Sequence, residues 1–343
     1  MTRRIRTALI AVAAAAALPA VVAAATNAYT TPALRITQTP ATTVIAASSA
    51  VADDATARAA IYAPTGITVT ATQAPGTAIG TVNAQVSALA LGGALLPLTG
   101  NIVVAPPGSV PAATQAACTQ GQTPTATWLL VLTAAGQTLN VPAYLLPTAG
   151  LPDAALGSAK VVICLPPPDI PVDQGGATFG AKFLGAELTL NGVFSAVPTG
   201  AWIAFWTPWQ AGNGQINTAG TVASPAQVAP GAVTATARRA GVRGVGAVVT
   251  GRVTQAGQPR GNATVTIFGG AASLRRLGAV KAKANGTFTF RAKSGTRFQA
   301  RVVAAPAASA ALCTTLATQL GGVPCVNPNA NGFSARSTTV RKR

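Results

Sequence analysis

The sequence predicts an all-β chain, a large β-sandwich region followed by a smaller β-sandwich. Three observations lead there. Short β-branched runs recur between clusters of Gly, Pro and Asn. Helix-period apolar patterns and long Leu/Glu/Lys stretches are missing. Toward the C-terminus apolar and polar residues alternate, as in a strand with one buried and one wet face. The chain has 343 residues, of which 9% are charged, a length that suffices for two bodies with their own cores.

The first element is a leader. Arg3, Arg4 and Arg6 precede an apolar run from Ala8 to Ala25 that ends in Ala23-Ala24-Ala25. A basic start, an apolar stretch and small residues at its end predict a secretory signal peptide over residues 1–25. The competing reading is an uncleaved N-terminal membrane anchor, since the run approaches spanning length. Its many Ala residues and Pro19 weaken any hold on lipid. The expected localisation is therefore secreted or cell-surface associated. An exported chain meets oxidising conditions, so Cys118, Cys164, Cys313 and Cys325 read as disulfides. Four cysteines allow three pairings; proximity favours Cys118 with Cys164 and Cys313 with Cys325.

Residues 26–230 form the large region. Strands are expected at 34–38, 43–47, 57–62, 67–72, 102–105, 127–133, 138–143, 160–165, 182–190 and 201–206, from their β-branched and aromatic content. The Ala-rich stretches 46–60 and 304–311 admit short helices. The segment 219–240 turns to Ala, Thr, Val and Pro without an aromatic and reads as the connection to a module over 231–343.

In that module the alternation gives a register. Val249, Gly251 and Val253 interleave with Thr250, Arg252 and Thr254; Phe288, Phe290 and Ala292 with Thr289, Arg291 and Lys293; Phe298, Ala300 and Val302 with Arg297, Gln299 and Arg301. Asn285-Gly286 marks a turn. A two-residue loop would place Lys283 opposite Phe288; a three-residue loop, Ala284 to Gly286, places Lys283 opposite Thr287 and Val280 opposite Phe290. Only the latter keeps the faces consistent, with Gly286 left-handed. A hairpin of this kind puts Lys281, Lys283, Arg291 and Lys293 on one wet face.

The stretch Val249-Thr250-Gly251-Arg252-Val253, then Gly257-Gln258-Pro259, Asn262 to Ile267 and Asn285-Gly286-Thr287-Phe288, resembles carboxypeptidase regulatory-like and related bacterial Ig-like modules. The resemblance implies an Ig-like (transthyretin-like) β-sandwich serving as an accessory domain on a secreted protein. Asn285 stands where such modules more often carry Asp, so acid-dependent metal binding is not implied. The N-terminal region is similar to secreted proteins of high-GC actinobacteria, a likeness that implies no activity.

The ionic make-up is lopsided. From Gly231 onward there are seventeen Lys and Arg and no acid, whereas residues 26–230 carry four bases and six acids. Such a cation favours anionic partners. The expected contact set is Arg252, Lys281, Lys283, Arg291, Lys293, Arg297 and Arg301, binding an anionic cell-wall polymer or membrane surface. Specific nucleic-acid recognition wants interleaved aromatics and is not expected. The alternative is a carbohydrate-binding or adhesion surface at Trp202, Trp206 and Trp209, with a polysaccharide as partner.

Catalysis is not expected. The chain has no His, which removes Ser-His-Asp and Cys-His chemistry and most metal sites. A carboxylate hydrolase pair is arithmetically possible, for example Glu187 with Asp169 or Asp173, but no spacing selects it. Asp169 and Asp173 read as a solvated loop, so neither metal nor cofactor is predicted. Leu96-Pro97-Leu98-Thr99-Gly100 matches a sortase signal but lies far from the C-terminus, and chance explains it.

Overall fold

The computed structural model describes residues 29–134, 136–195, 199–241 and 244–343. The leader expected over 1–25 lies outside them. The first body contains β1 (Ala33–Gln38), β2 (Thr42–Ser48), β3 (Thr56–Ala63), β4 (Ala78–Ala88), β5 (Ala94–Val104), α1 (Ala112–Thr119), β6 (Ala126–Ala134), β7 (Gln137–Pro147), β8 (Ala159–Cys164), β9 (Ala181–Asn191), β10 (Gly200–Pro208) and β11 (Val222–Val228). The chain continues through β12 (Gly231–Arg239), β13 (Ala247–Gln255), β14 (Gln258–Pro259), β15 (Thr264–Gly270), β16 (Arg275–Lys281), β17 (Thr287–Ala292) and β18 (Arg297–Ala304). It ends with β19 (Ala307–Ala308), α2 (Ala310–Thr315), α3 (Ala317–Leu320), β20 (Asn329–Ala330), β21 (Phe333–Arg336) and β22 (Val340–Arg341). The all-β class is as the sequence predicts.

The first body is one 13-stranded sheet ordered β1-β2-β9-β4-β5-β6-β7-β8-β3-β10-β11-β20-β19. It bends back on itself so that β1 packs against β11. Alternate residues point into the enclosed core, as a pleated sheet requires. One end of that core is solid: the Phe194 ring meets Trp128 and Trp202 edge to face, with centroids 6.4 and 5.1 Å apart.

Several expectations are corrected here. The segment 219–240 is no linker: β11 lies inside the sheet between β10 and β20, and β12 edges the next body. Small residues made it look like a connection, yet β11 is almost wholly buried. The stretch 46–60 forms the end of β2 and the start of β3, not a helix. Residues 67–72 make only the isolated bridge Val69–Phe194. β4 and most of β5 escaped notice because Gly80 and Gly100 interrupt them. A Cβ at Gly80 would lie 2.0 Å from the Thr189 carbonyl oxygen, so glycine admits a close strand approach there. The sortase-like string lies inside β5 with Leu98 buried.

The second body is a two-sheet sandwich. β12-β13-β14 with β17 form one sheet; β16-β15-β18-β21, with β22 on β18, form the other. Val249, Val253, Val265, Ile267, Phe288, Phe298 and Val302 fill the space between them. Gly251 faces this core under the Phe288 ring, where a Cβ would fall 2.5 Å from ring carbon Cζ.

The module is not contiguous in sequence, as 231–343 had suggested. After β18 the chain crosses back: β20 pairs in parallel with β11, and β19 pairs with β20. Leu312, Leu316 and Leu320 cover Ile203 and Ala223 on the outer side of β10 and β11. Only β21 and β22 return to the small sandwich. The buried Gln255 amide marks the junction, donating to the Ala229 carbonyl at 3.1 Å and to Asn331 Oδ1 at 2.7 Å.

Both disulfides form as proximity suggested. Cys118–Cys164 joins α1 to the end of β8, and Cys313–Cys325 closes the segment that covers β11. No cysteine is free among the described residues, a state that belongs to an oxidising environment. Among the described residues no helix is long and apolar enough to cross a membrane.

Candidate functional site

The seven bases expected to contact anions are not brought to one face. The Asn285-Gly286 turn has the predicted form: the Lys283 amide donates to the Thr287 carbonyl at 2.8 Å, and Gly286 has φ 78°. But its arms do not pair with each other. β16 pairs with β15, and β17 pairs with β13 across the sandwich. Val280 and Phe290 do face a common core, from opposite sheets. Arg252 and Arg291 therefore lie on the outer face of the β13 sheet, and Lys281, Arg297 and Arg301 on the outer face of the β15 sheet. Lys283 sits in the turn at one end of β17, and Lys293 just past the other end.

The outer face of the β15 sheet is the stronger concentration of charge. β18 supplies Arg297 and Arg301, β16 supplies Arg276 and Lys281, and the tail strands add Arg336 and Arg341. Two pairs stand directly opposite across adjacent strands: Arg301 with Arg336, and Arg297 with Arg341. Cross-strand neighbours have Cβ atoms about 5 Å apart, and like charges there repel. Among the described residues none of these bases joins an ion pair; the one salt bridge is Lys160–Asp153 in the first body. The Arg301 guanidinium lies 4.2 Å from the Phe268 ring centroid, and its Nε donates to Gln299 Oε1 at 2.9 Å. Stacking on a ring fixes the guanidinium plane while leaving its terminal N–H groups for a ligand. Arg297 donates instead to the Ala272 carbonyl.

Arg276, Arg336 and Arg341 were missed as members of this face. For Arg336 the signal was the alternation over Phe333–Arg336, too short to separate from a tail by pattern alone. The β13 face is milder. Arg238, Arg252 and Arg291 are spread over it among Thr234, Thr236, Thr250 and Thr289, with the Thr236 and Thr250 hydroxyls 3.0 Å apart.

The aromatic alternative is overturned for two of its three residues. Trp202 is 0% and Trp206 1% exposed, because both sides of β10 are covered. The inner side faces the curled sheet's core; the outer side, with Ile203 and Phe205, lies under the α2–α3 segment and beside Tyr62. Trp206 Nε1 donates to Ser224 Oγ at 2.6 Å. Trp209 is half-buried, its Nε1 bonded to the Leu165 carbonyl at 3.1 Å. Neither Trp202 nor Trp206 offers a free flat face for a sugar.

The carboxylates are dispersed. Glu187 is exposed on β9, and Asp169 accepts from the Gly212 amide in a loop. Among the described residues no His/Cys/Asp/Glu group is arranged to hold a metal. No protein-family model matches the chain, and no curated protein matches it.

Proposed function

We propose that this is an exported, non-catalytic surface protein whose small sandwich holds it to an anionic envelope polymer or membrane surface. The observation that carries this reading is the pair of opposed arginines, Arg301–Arg336 and Arg297–Arg341, on a sheet face without an acid. Like charges placed directly opposite on adjacent strands cost stability when alone, and a phosphate or carboxylate bound between them offsets that cost. A cationic surface serving solubility alone has no need of such opposition.

Retention on purified anionic wall polymer, or on vesicles with anionic head groups, is expected to fall steeply with salt, since exposed charges are screened beyond about 8 Å at physiological ionic strength. Replacing Arg301 and Arg336 by Gln should weaken retention at least about tenfold, at roughly 1 kcal/mol per surface base. The matched change at Arg252 and Arg291 should do less. Salt-independent retention, or equal loss from both pairs, would sink the assignment to the β15 face.

A further inference from the structure

The geometry points to a second, uncharged binding site: we propose that the open end of the curled sheet is a cup for one aliphatic chain of a neutral amphiphile. The cup is a cavity of about 280 Å³ inside the first body. Its wall comes from inward-facing residues of β2 through β10, among them Ala84, Val86, Leu139, Ile163, Phe183 and Ala186. These side chains point inward yet are only half-buried, in contrast to the fully buried Trp128, Phe194 and Trp202 that plug the other end. Phe183 stacks on Trp206 at 6.4 Å, making one flat aromatic wall; the rest is mainly aliphatic, with Thr56, Asn140 and Thr178 as its polar members.

Among the described residues no charged side chain lines the cavity. An ionised group placed there would lose its water without a partner, so the part of the ligand that enters must be uncharged. The polar lining is sparse, and Thr56 already shares its hydroxyl with Tyr29 at 2.6 Å. The volume admits roughly ten methylenes, taking each at about the 30 Å³ of a water molecule. Pockets of this size and lining are where small apolar ligands bind.

The rim is a second, independent observation. Val51, Leu89, Leu91, Val172, Phe179 and Ile216 are exposed large apolar side chains. All stand on the loops that end at the cavity mouth: after β2, between β4 and β5, before β9 and after β10. The Phe179 turn packs on the β4–β5 tip, where Leu89 Cβ lies 3.1 Å from the position of a Cβ on Gly180. Exposed apolar side chains gathered around an apolar mouth mark a contact site.

The test uses the whole chain at high salt, where the basic face is screened, so its failure is distinct from failure of the anion-binding reading. N-phenyl-1-naphthylamine, a neutral fluorophore, should bind one per chain and be displaced by n-alkanols. Affinity should rise about threefold to fourfold per methylene and level off near ten carbons. Ala84→Phe and Ala186→Phe, on half-buried wall positions that face each other across β4 and β9, should each weaken binding more than tenfold while keeping the near-UV dichroism of the folded chain. Alkanol given in solution, or dissolved in neutral phosphatidylcholine vesicles, separates a free ligand from a membrane-borne one. Absence of one-to-one binding, affinity that climbs without levelling, or folded filled variants that bind as wild type would each overturn the proposal.

Discussion

Lys160 shows how one buried charge is made tolerable. It is 5% exposed on β8, and its Nζ lies 2.5 Å from Asp153 Oδ2, which also accepts from the Tyr62 hydroxyl at 2.9 Å. Burial works to raise the Asp153 pKa, but the hydrogen bonds from Lys160 and Tyr62 outweigh it and hold the value below the ordinary one. A folded-state pKa that is depressed contributes stability above the unfolded value, near about 4, and that contribution is lost as pH falls through the folded value. Lys160→Met should therefore lower stability at pH 7 by about 1–3 kcal/mol and flatten the loss below about pH 4. Urea unfolding across that pH range measures both; a variant as stable as wild type at pH 7 would contradict this account. Tyr62 moves the other way: burial first, then the carboxylate it bonds, pushes its phenol up.

At the scale of elements, the alternation in the second body was legible and the sheet assignment was not. Val280, Ala282, Phe288 and Phe290 point into one core whether their strands lie side by side or across from each other. A period of two fixes which face is wet; it is silent on which neighbour supplies the hydrogen bonds. The turn at Gly286 was readable because its left-handed φ leaves few residue choices. The same limit explains β10: Trp202 and Ile203 announce two apolar faces, but the cover over Ile203 comes from residues more than a hundred positions away. The cup was illegible for a related reason, since its wall is assembled from nine strands. That distant cover makes a prediction. Leu316 is buried against Ile203 and Ala223, so Leu316→Ala should cost about 2–4 kcal/mol of global stability. A loss under about 0.5 kcal/mol, typical of surface changes, would show that the α2–α3 segment is not part of the first body.

The whole molecule is two bodies whose division by charge does not follow the order of the chain. All seventeen bases after residue 230 fall within 231–304 and 333–343; the intervening 305–332, which joins the large sheet, has none. The excursion leaves and re-enters the small sandwich at Ala304 and Phe333, which face each other as the last pair of β18 and β21. Antiparallel partners at that spacing can be joined by a two-residue turn. A chain of 231–304, Asn-Gly and 333–343 should thus fold by itself, unfold in one cooperative step, and keep the salt-dependent hold on anionic polymer. The uncut stretch 231–343 should do worse, because it carries Leu312, Leu316 and Leu320 without the β10–β11 surface they cover, and exposed apolar side chains promote self-association. Sedimentation of the two chains at equal concentration decides the matter. A monomeric, folded 231–343 beside an unfolded shortened chain would mean that the small sandwich draws its stability from the segment assigned here to the large sheet.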